Sequence, residues 1–341
     1  MTVSPCQKYK GRRRGGRILR NERGVALLLT ILIISLIYVL TVQFNTAMWS
    51  NLHAATNLKD SIQLGSMARS GFNAARAVIA VDGLKVPAVD SFHDAWANLA
   101  AISEYSAFFF EEGRFVVKVN DHSGRIQINA LLKDGAVSEE QREMLARFLA
   151  ASEFGLETAE VEGIVQALID WLDEDDEVTG FGGAENLYYQ TLENPYPPRN
   201  GPLESLEELL YVRGINPALY YGSQGQPGIA AFLTPYGTDG RVNINTAAPL
   251  VLRALAAQID ETVAADMVAW RDDEDNDLAS ADWYKTVPTF PGEVTIDSLV
   301  TISSTYFEVI AAGVKDDIQR SVQGMIYRKT NKTQILSWKI E

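Results

Sequence analysis

A single cysteine, Cys6, occurs in 341 residues. Disulfides therefore cannot hold the chain together in any compartment, and its stability must come from a packed core or a bound metal. Histidine is nearly as scarce. His53, His93 and His122 lie far apart in sequence and no G-x-S-x-G motif is present, so catalysis has little support. Positive charge is confined to one end. Residues 1–24 hold eight Lys and Arg against Glu22 alone, a surplus of seven, so the −14 of the whole chain becomes −21 beyond Gly24. A body this acidic repels phosphate backbones, which argues against nucleic acid as a partner, and it attracts divalent cations.

Over one long stretch charge of either sign is missing. No Asp, Glu, Lys or Arg lies between Gly24 and Leu58, and Val25–Val42 also lacks Pro and Gly. Those residues make roughly 27 Å of helix, enough to span a bilayer core. The basic residues before them stay cytoplasmic, which sends the bulk to the far side of the membrane. A secretory signal has a shorter apolar core followed by a small-x-small site, and "QFNTAMWSNLHAATN" offers no such site. Either the segment is an uncleaved anchor or the cut lies where the charge meets the grease. Arg23-Gly24 followed directly by an apolar helix resembles the cleavage site of type IV prepilins and type II secretion pseudopilins. The resemblance implies cleavage between Gly24 and Val25 by the prepilin peptidase and methylation of the new terminus. The anchor, Val25 through Leu29 to Val42, would survive the cut. Most of that family carry Glu at the fifth mature position, which here is Leu29. A carboxylate in hydrocarbon is costly unless paired. An apolar Leu29 thus suits a subunit with no neighbour ahead of it, at the tip of a filament.

With no proline between Pro5 and Pro87, residues 25 to about 80 read as one helix of roughly 80 Å. Leu58, Ile62, Phe72, Ala75, Val78 and Ile79 give it an apolar stripe, and Gly65 and Gly71 are weak points. A short helix is expected around His93–Ala101. "FVVKVND" (Phe115–Asp121) and "GRIQINA" (Gly124–Ala130) read as a hairpin, with His122 as a turn residue. Comparable strands return only at Thr305–Val314, Asp317–Lys329 and Gln334–Ile340. The middle is largely helical. Ser138–Gln141 is a capping-box pattern, Val161 to Leu172 keeps the i, i+3, i+4 rhythm, and Ser205–Glu208 caps another helix that ends at Gly214. "GRIQIN" (Gly124–Asn129) is echoed by "GRVNIN" (Gly240–Asn245). Each is followed by helices and then a tryptophan with an acidic tail, "DWLDEDDE" and "AWRDDEDN", which reads as an internal duplication. "VRGI" and "NINTAAPLVLRAL" look like helix-hairpin-helix fragments; the acidic charge makes them packing modules rather than DNA readers.

Residues 148–198 contain 12 Asp or Glu and no Lys or Arg. Asp170, Asp173, Asp175, Asp176 and Glu177 crowd the loop that closes a helix. Such carboxylates repel one another unless solvated or neutralised by a hard cation. The loop is not an EF-hand: counting from Asp173, the sixth position is Val178 and the twelfth Ala184. On chemistry alone a solvated loop and a metal site both stand. The segment "DWLDEDDEVTGFGGAENLYYQ" with "RNGPL-SLEELL-VRGI" after it is similar to the part of K-type minor pseudopilins of type II secretion that holds calcium. That resemblance implies calcium ligands at Asp173, Asp175, Asp176 and Glu185, with Asn194 and backbone carbonyls as extras. Asp272–Asp277 is read as a solvated face.

The resemblance implies an α+β, pilin-like fold, a long stalk helix on an antiparallel sheet, with a large helical insertion. The expected divisions are a leader (1–24), transmembrane and stalk helix (25–80), first part of the α/β unit (81–129), insertion (130–302) and closing strands (303–341). The implied role is structural. A minor pseudopilin would sit at the tip of the type II pseudopilus, with I- and J-type minor pseudopilins as partners, its body in the periplasm, supporting protein export. Two rivals remain: a single-pass inner-membrane protein that keeps its leader and binds calcium or a ligand, and a minor pilin of a type IV pilus.

Overall fold

The computed structural model describes residues 22–85, 88–330 and 332–340; most of the basic leader lies outside them. By compactness the chain divides between Asp60 and Ser61. Helix α1 (Glu22–Asp82) runs through the division. In the first unit it is apolar and solvent-facing, with Val25, Leu29 and Val42 all exposed. It is long and apolar enough to cross a membrane.

The second unit holds two cores. In the first, α1 lies on a four-stranded antiparallel sheet made of β1 (Arg114–Asp121), β2 (Tyr306–Lys315), β3 (Ile318–Lys329) and β4 (Lys332–Ile340), in that order. Leu64, Ala68, Phe72, Ala75 and Ile79 recur at three- and four-residue intervals and are all at most 4% exposed, so one face of the helix is sealed. Opposite them, Phe307, Val309 and Ala311 alternate with half-exposed residues along β2, as a sheet with one buried face requires. The stripe differs from the expected one at its start, because Leu58 and Ile62 are exposed.

Glycines set the distance between helix and sheet. A Cβ on Gly313 of β2 would lie 2.2 Å from the Leu64 carbonyl oxygen, and one on Gly71 of α1 would lie 2.8 Å from Val117. Gly71 is therefore a contact rather than a flaw in the helix. Gly65 has only an ordinary neighbour, at 3.7 Å.

The expected helix at 93–101 begins later, as α2 (Ala100–Tyr105). Before it, the Asp94 carboxylate accepts the Ser91 amide at 2.7 Å and an ion pair from Lys85, which holds that stretch in turns. The expected hairpin does not form. β1 pairs with β2, from Arg114↔Val314 to Asp121↔Phe307. Ile126–Gln127 instead pairs in parallel with Leu233–Thr234. Ile126 and Ile128 pack in the second, helical core, so that body opens directly after β1 rather than at residue 130.

The helical body has two halves of similar order. One opens on Ile126–Gln127 and continues through α3 (Glu139–Leu149) and α4 (Thr158–Leu172) to its parallel partner at 233–234. The other opens on Val242–Asn243 and continues through α5 (Pro249–Leu255) and α6 (Glu261–Asp272) to Val300–Thr301, again parallel. The echoed hexamers thus hold equivalent places. Asn129 bonds the Leu203 and Pro235 carbonyls, and Asn245 bonds the Leu278 carbonyl and the Trp283 indole. Ser138 precedes α3 without capping it by side chain, and the reciprocal bond is missing too, because Gln141 turns inward to donate to the Gly240 carbonyl at 2.9 Å. The capping box at Ser205 and Glu208 is formed, on a 3-10 helix. Near the end of α6, Arg271 is 5% exposed and donates to the carbonyls of Ile244 and Ala247.

Both ends of the insertion meet beside β1. His122 N–H donates to the Tyr306 carbonyl at 2.9 Å, and Thr305 N–H to the Ser123 hydroxyl at 2.9 Å. The buried Asp121 carboxylate accepts from Thr246 Oγ1 at 2.6 Å and from the Ser304 hydroxyl. Arg328 of β3 gathers the Ile79 and Ser304 carbonyls, Asp82 and Asp90. His122 opens a turn, its carbonyl accepting the Arg125 amide at 3.3 Å, and its ring is buried with Nδ1 3.1 Å from Thr234 Oγ1.

Two alanine substitutions in α1 should move stability in opposite directions. Gly65→Ala gains helix propensity and should stabilise by about 1 kcal/mol. Gly71→Ala pushes the helix off β1 and should cost about 1–3 kcal/mol. Urea unfolding of the detergent-solubilised chain measures both, and equal signs would refute the close-approach account.

Candidate metal centre

Helix α4 starts on a reciprocal capping box between Glu157 and Glu160. It buries Val161, Ile164, Val165, Leu168, Ile169 and Leu172 as its rhythm requires. Asp170 falls inside that apolar run and is 0% exposed. Three residues on, Asp173 ends the helix in an extended conformation, and the chain loops back to bring Glu185, 2% exposed, against both. One oxygen from each of Asp170, Asp173 and Glu185 lies within 4.8 Å of the others.

Little in the protein answers this charge. Asp170 Oδ1 accepts the Thr179 amide at 3.0 Å. Asp170 Oδ2, Asp173 Oδ1 and both Glu185 oxygens are buried without a donor. The C-terminal end of α4 adds negative potential. Burial first, then the Asp175 and Asp170 charges, push Asp173 up to about 6. Burial followed by Asp170 and Asp173 pushes Glu185 up to about 7. The loop is tightly set: a Cβ on Gly183 would lie 2.3 Å from Asp170 Oδ2. Arg213 Nη1 holds the Gly183 carbonyl at 3.0 Å, and its guanidinium lies over the Tyr188 ring. Trp171 and Tyr189 pack edge to face at 5.3 Å beneath. An all-oxygen set of converging carboxylates with orphaned atoms fits a hard divalent cation, and it has neither the nitrogen nor the sulfur that softer metals prefer.

The structure brings together Asp173 and Glu185 of the ligands expected from sequence, and adds Asp170. Asp175 and Asp176 stay exposed: Asp175 Oδ1 accepts the Glu177 amide at 2.8 Å, and Asp176 Oδ1 lies 3.5 Å from Asn200 Nδ2. Asn194 is exposed as well. Asn200, from the segment after Tyr189, carries a buried Oδ1 without a donor and bonds the Asp175 carbonyl at 3.1 Å, which brings a further oxygen against the acidic loop. Asp170 had a signal in the sequence: it is the charged residue inside an otherwise apolar helical rhythm, three before Asp173. The second acidic run is exposed at Asp272, Asp273, Glu274, Asp275 and Asp277, with local turn bonds such as Asp275 N–H to Asp273 Oδ1 at 3.1 Å. Gly24 and Val25 lie within α1, and the leader before residue 22 is outside the described residues.

Residues 124–222 match the family model described as Type II secretion system (T2SS), protein K. Type II secretion system protein K of Aeromonas hydrophila is 27% identical over 93% of this chain and 96% of its own length. The protein of that name from Pseudomonas aeruginosa is 25% identical over 93% and 92%. A chain in the crystal structure of the GspK-GspI-GspJ complex from the enterotoxigenic Escherichia coli type 2 secretion system shares the fold. Its TM-score is 0.66 at 17% identity, covering 84% of this chain and 99% of that one.

Without metal, the folded protein binds more protons at Asp173 and Glu185 than the unfolded chain, because burial and neighbouring carboxylates raise both pKa values above the usual carboxylate range. Their contribution to stability therefore falls as pH rises from about 4 to about 7. The metal-free chain should show a melting temperature at pH 5 that drops by pH 7.5, and the double variant Asp173→Asn, Glu185→Gln should lose most of that drop. A slope unchanged by the double substitution would mean these carboxylates are not strained.

Proposed function

We infer that the chain belongs to the protein K family of type II secretion systems and serves as a minor pseudopilin in the pseudopilus that supports protein export. The observation that carries this reading is collinearity: the Aeromonas and Pseudomonas relatives align over 93% of the chain and more than nine tenths of their own lengths. The role is structural. Arg23-Gly24 is the junction at which the prepilin peptidase acts, leaving Val25 as a methylated terminus and α1 as a single-pass inner-membrane anchor with the body in the periplasm. Leu29, apolar where a pairing carboxylate stands in most of the wider family, supports a place at the tip, with nothing ahead of it. The large helical body inserted in sequence between β1 and β2 supports the same place, since a tip subunit need not accommodate another above it. I- and J-type minor pseudopilins are its partners.

Calcium belongs to Asp170, Asp173 and Glu185 in this reading, with Asn200 and loop carbonyls as added donors. It supplies the positive charge that the loop lacks and pins the 173–185 segment to the end of α4. Asp170 and Glu185 bring buried oxygens that no donor satisfies, and binding the ion relieves that cost.

Three measurements test the reading. The mass of the membrane-extracted chain should correspond to loss of residues 1–24 plus one methyl group, and an intact leader would sink the assignment. Labels on the body should mark one end of each pseudopilus; labels along the shaft would refute the tip position. Calcium at about 100 times its dissociation constant should stabilise the chain by about 2.7 kcal/mol, read as a rise in melting temperature that chelation reverses. Asp170→Asn and Glu185→Gln should abolish that rise, while Asp176→Asn and Asn194→Ala should keep it.

A further inference from the structure

Gln166 stands one turn before Asp170 on α4, so the two side chains leave the helix on one face. The loop that returns from Asp173 to Glu185 is seated against that face. Gln166 Oε1 accepts the Gly182 amide at 2.7 Å, and its Nε2 donates to Glu162 Oε1 at 2.8 Å. Glycine lets the loop come this close. A Cβ on Gly180, where φ is +60°, would lie 2.5 Å from Gln166 Nε2. One on Gly182 would lie 2.5 Å from the Gly163 Cα and 3.2 Å from Gln166 Oε1.

None of these contacts uses an oxygen of Asp170, Asp173 or Glu185. They oppose what those carboxylates do when left to themselves. Oxygens of like charge within 4.8 Å of one another repel, and the loop relieves that repulsion by swinging away from α4. A loop that has opened must be ordered again when an ion binds, and that ordering is subtracted from the affinity. A neutral bond in the middle of the loop removes the loss without competing for the ion.

The second half of the helical body shows that the two residues go together. Aligned on the tryptophans of "DWLD" and "AWRD", Asp170 falls opposite Ala269 and Gln166 opposite Ala265. Both alanines are exposed, so the matching face of α6 is open to water. Among the described residues no cluster of three carboxylates forms in that half. The helix that lacks the ligand lacks the glutamine as well.

We propose, on the calcium reading above, that Gln166 is the positioning residue of the metal centre: it fastens the 179–183 segment to α4, so that Asp173 and Glu185 already face Asp170 when the ion arrives. Gln166 is not itself a ligand, because its oxygen is taken by Gly182. Its effect is read in calcium affinity and in the order of the loop.

The test titrates calcium into the full mature chain in detergent, followed by calorimetry. Gln166→Met keeps the length of the side chain and removes the acceptor. Wild type should bind, and Gln166→Met should bind about tenfold more weakly, the size of an amide losing its acceptor. Gln166→Glu keeps the acceptor and should stay within about threefold of wild type. Amide hydrogen exchange after chelation separates positioning from general stability. In Gln166→Met it should quicken across 174–184, stay unchanged in α3, α5 and α6, and return to the wild-type rate at saturating calcium. Unchanged affinity in Gln166→Met, an equal loss in Gln166→Glu, or faster exchange throughout the helical body would each overturn the proposal. A wild-type chain that binds no calcium would overturn the calcium reading and the proposal together, a result visible before any variant is made.

Discussion

The fold depends on one closure. β1 and β2 are hydrogen-bonded neighbours, yet the whole helical body lies between them in sequence. Its entry and exit must therefore arrive side by side at the end of β1. Asp121, Ser123, Ser304 and Arg328 make that meeting, with Asp90 brought in from the linker after α1. These groups are buried, so each needs the others: a carboxylate without its hydroxyl donors, or a guanidinium without its acceptors, would face the full desolvation cost. The same closure holds the loop that carries His122 and Arg125 at the junction of the sheet and the helical body. One polar knot thus joins the pilin-like sheet to its insertion and decides what stands between them.

Above the knot the two cores follow different rules. α1 approaches the sheet closely because glycine at 71 and 313 removes the atoms that would hold them apart. The helical body is built by doubling, two short parallel ladders with two helices after each opening strand. Parallel pairs this short have little stability of their own, and the asparagines at 129 and 245 stitch them to the loops that follow. The candidate calcium loop hangs on the first of these doubled units.

Much of this was legible in the residues and some was not, for definable reasons. The closing strands announced themselves by alternation, and β2, β3 and β4 fall within a few residues of the expected ranges. The hairpin at 115–130 failed because period-two patterning identifies a strand but not its partner, and a partner nearly two hundred residues away left no local mark. Ser138–Gln141 had the letters of a capping box, yet a tertiary acceptor at Gly240 claimed the glutamine. Gly71 looked like a defect because a helix read alone contains no sheet. At the acidic loop, the run of carboxylates stood out in the sequence, while two of the ligands that the resemblance implied, Asp175 and Asp176, lie exposed. Asp170 had its signal in the apolar neighbours around it, and its burial is what sets it apart from the exposed carboxylates.

Arg271 stands in "AWRD" where Leu172 stands in "DWLD", and its guanidinium is locked inside the second half on backbone carbonyls. The second half therefore buries a cation at the end of its helix, where the first half buries the carboxylates of Asp170 and Glu185. If the proposed calcium is bound, the two halves reach charge balance by different routes: one from a guanidinium of its own sequence, the other from an ion that must be supplied to it.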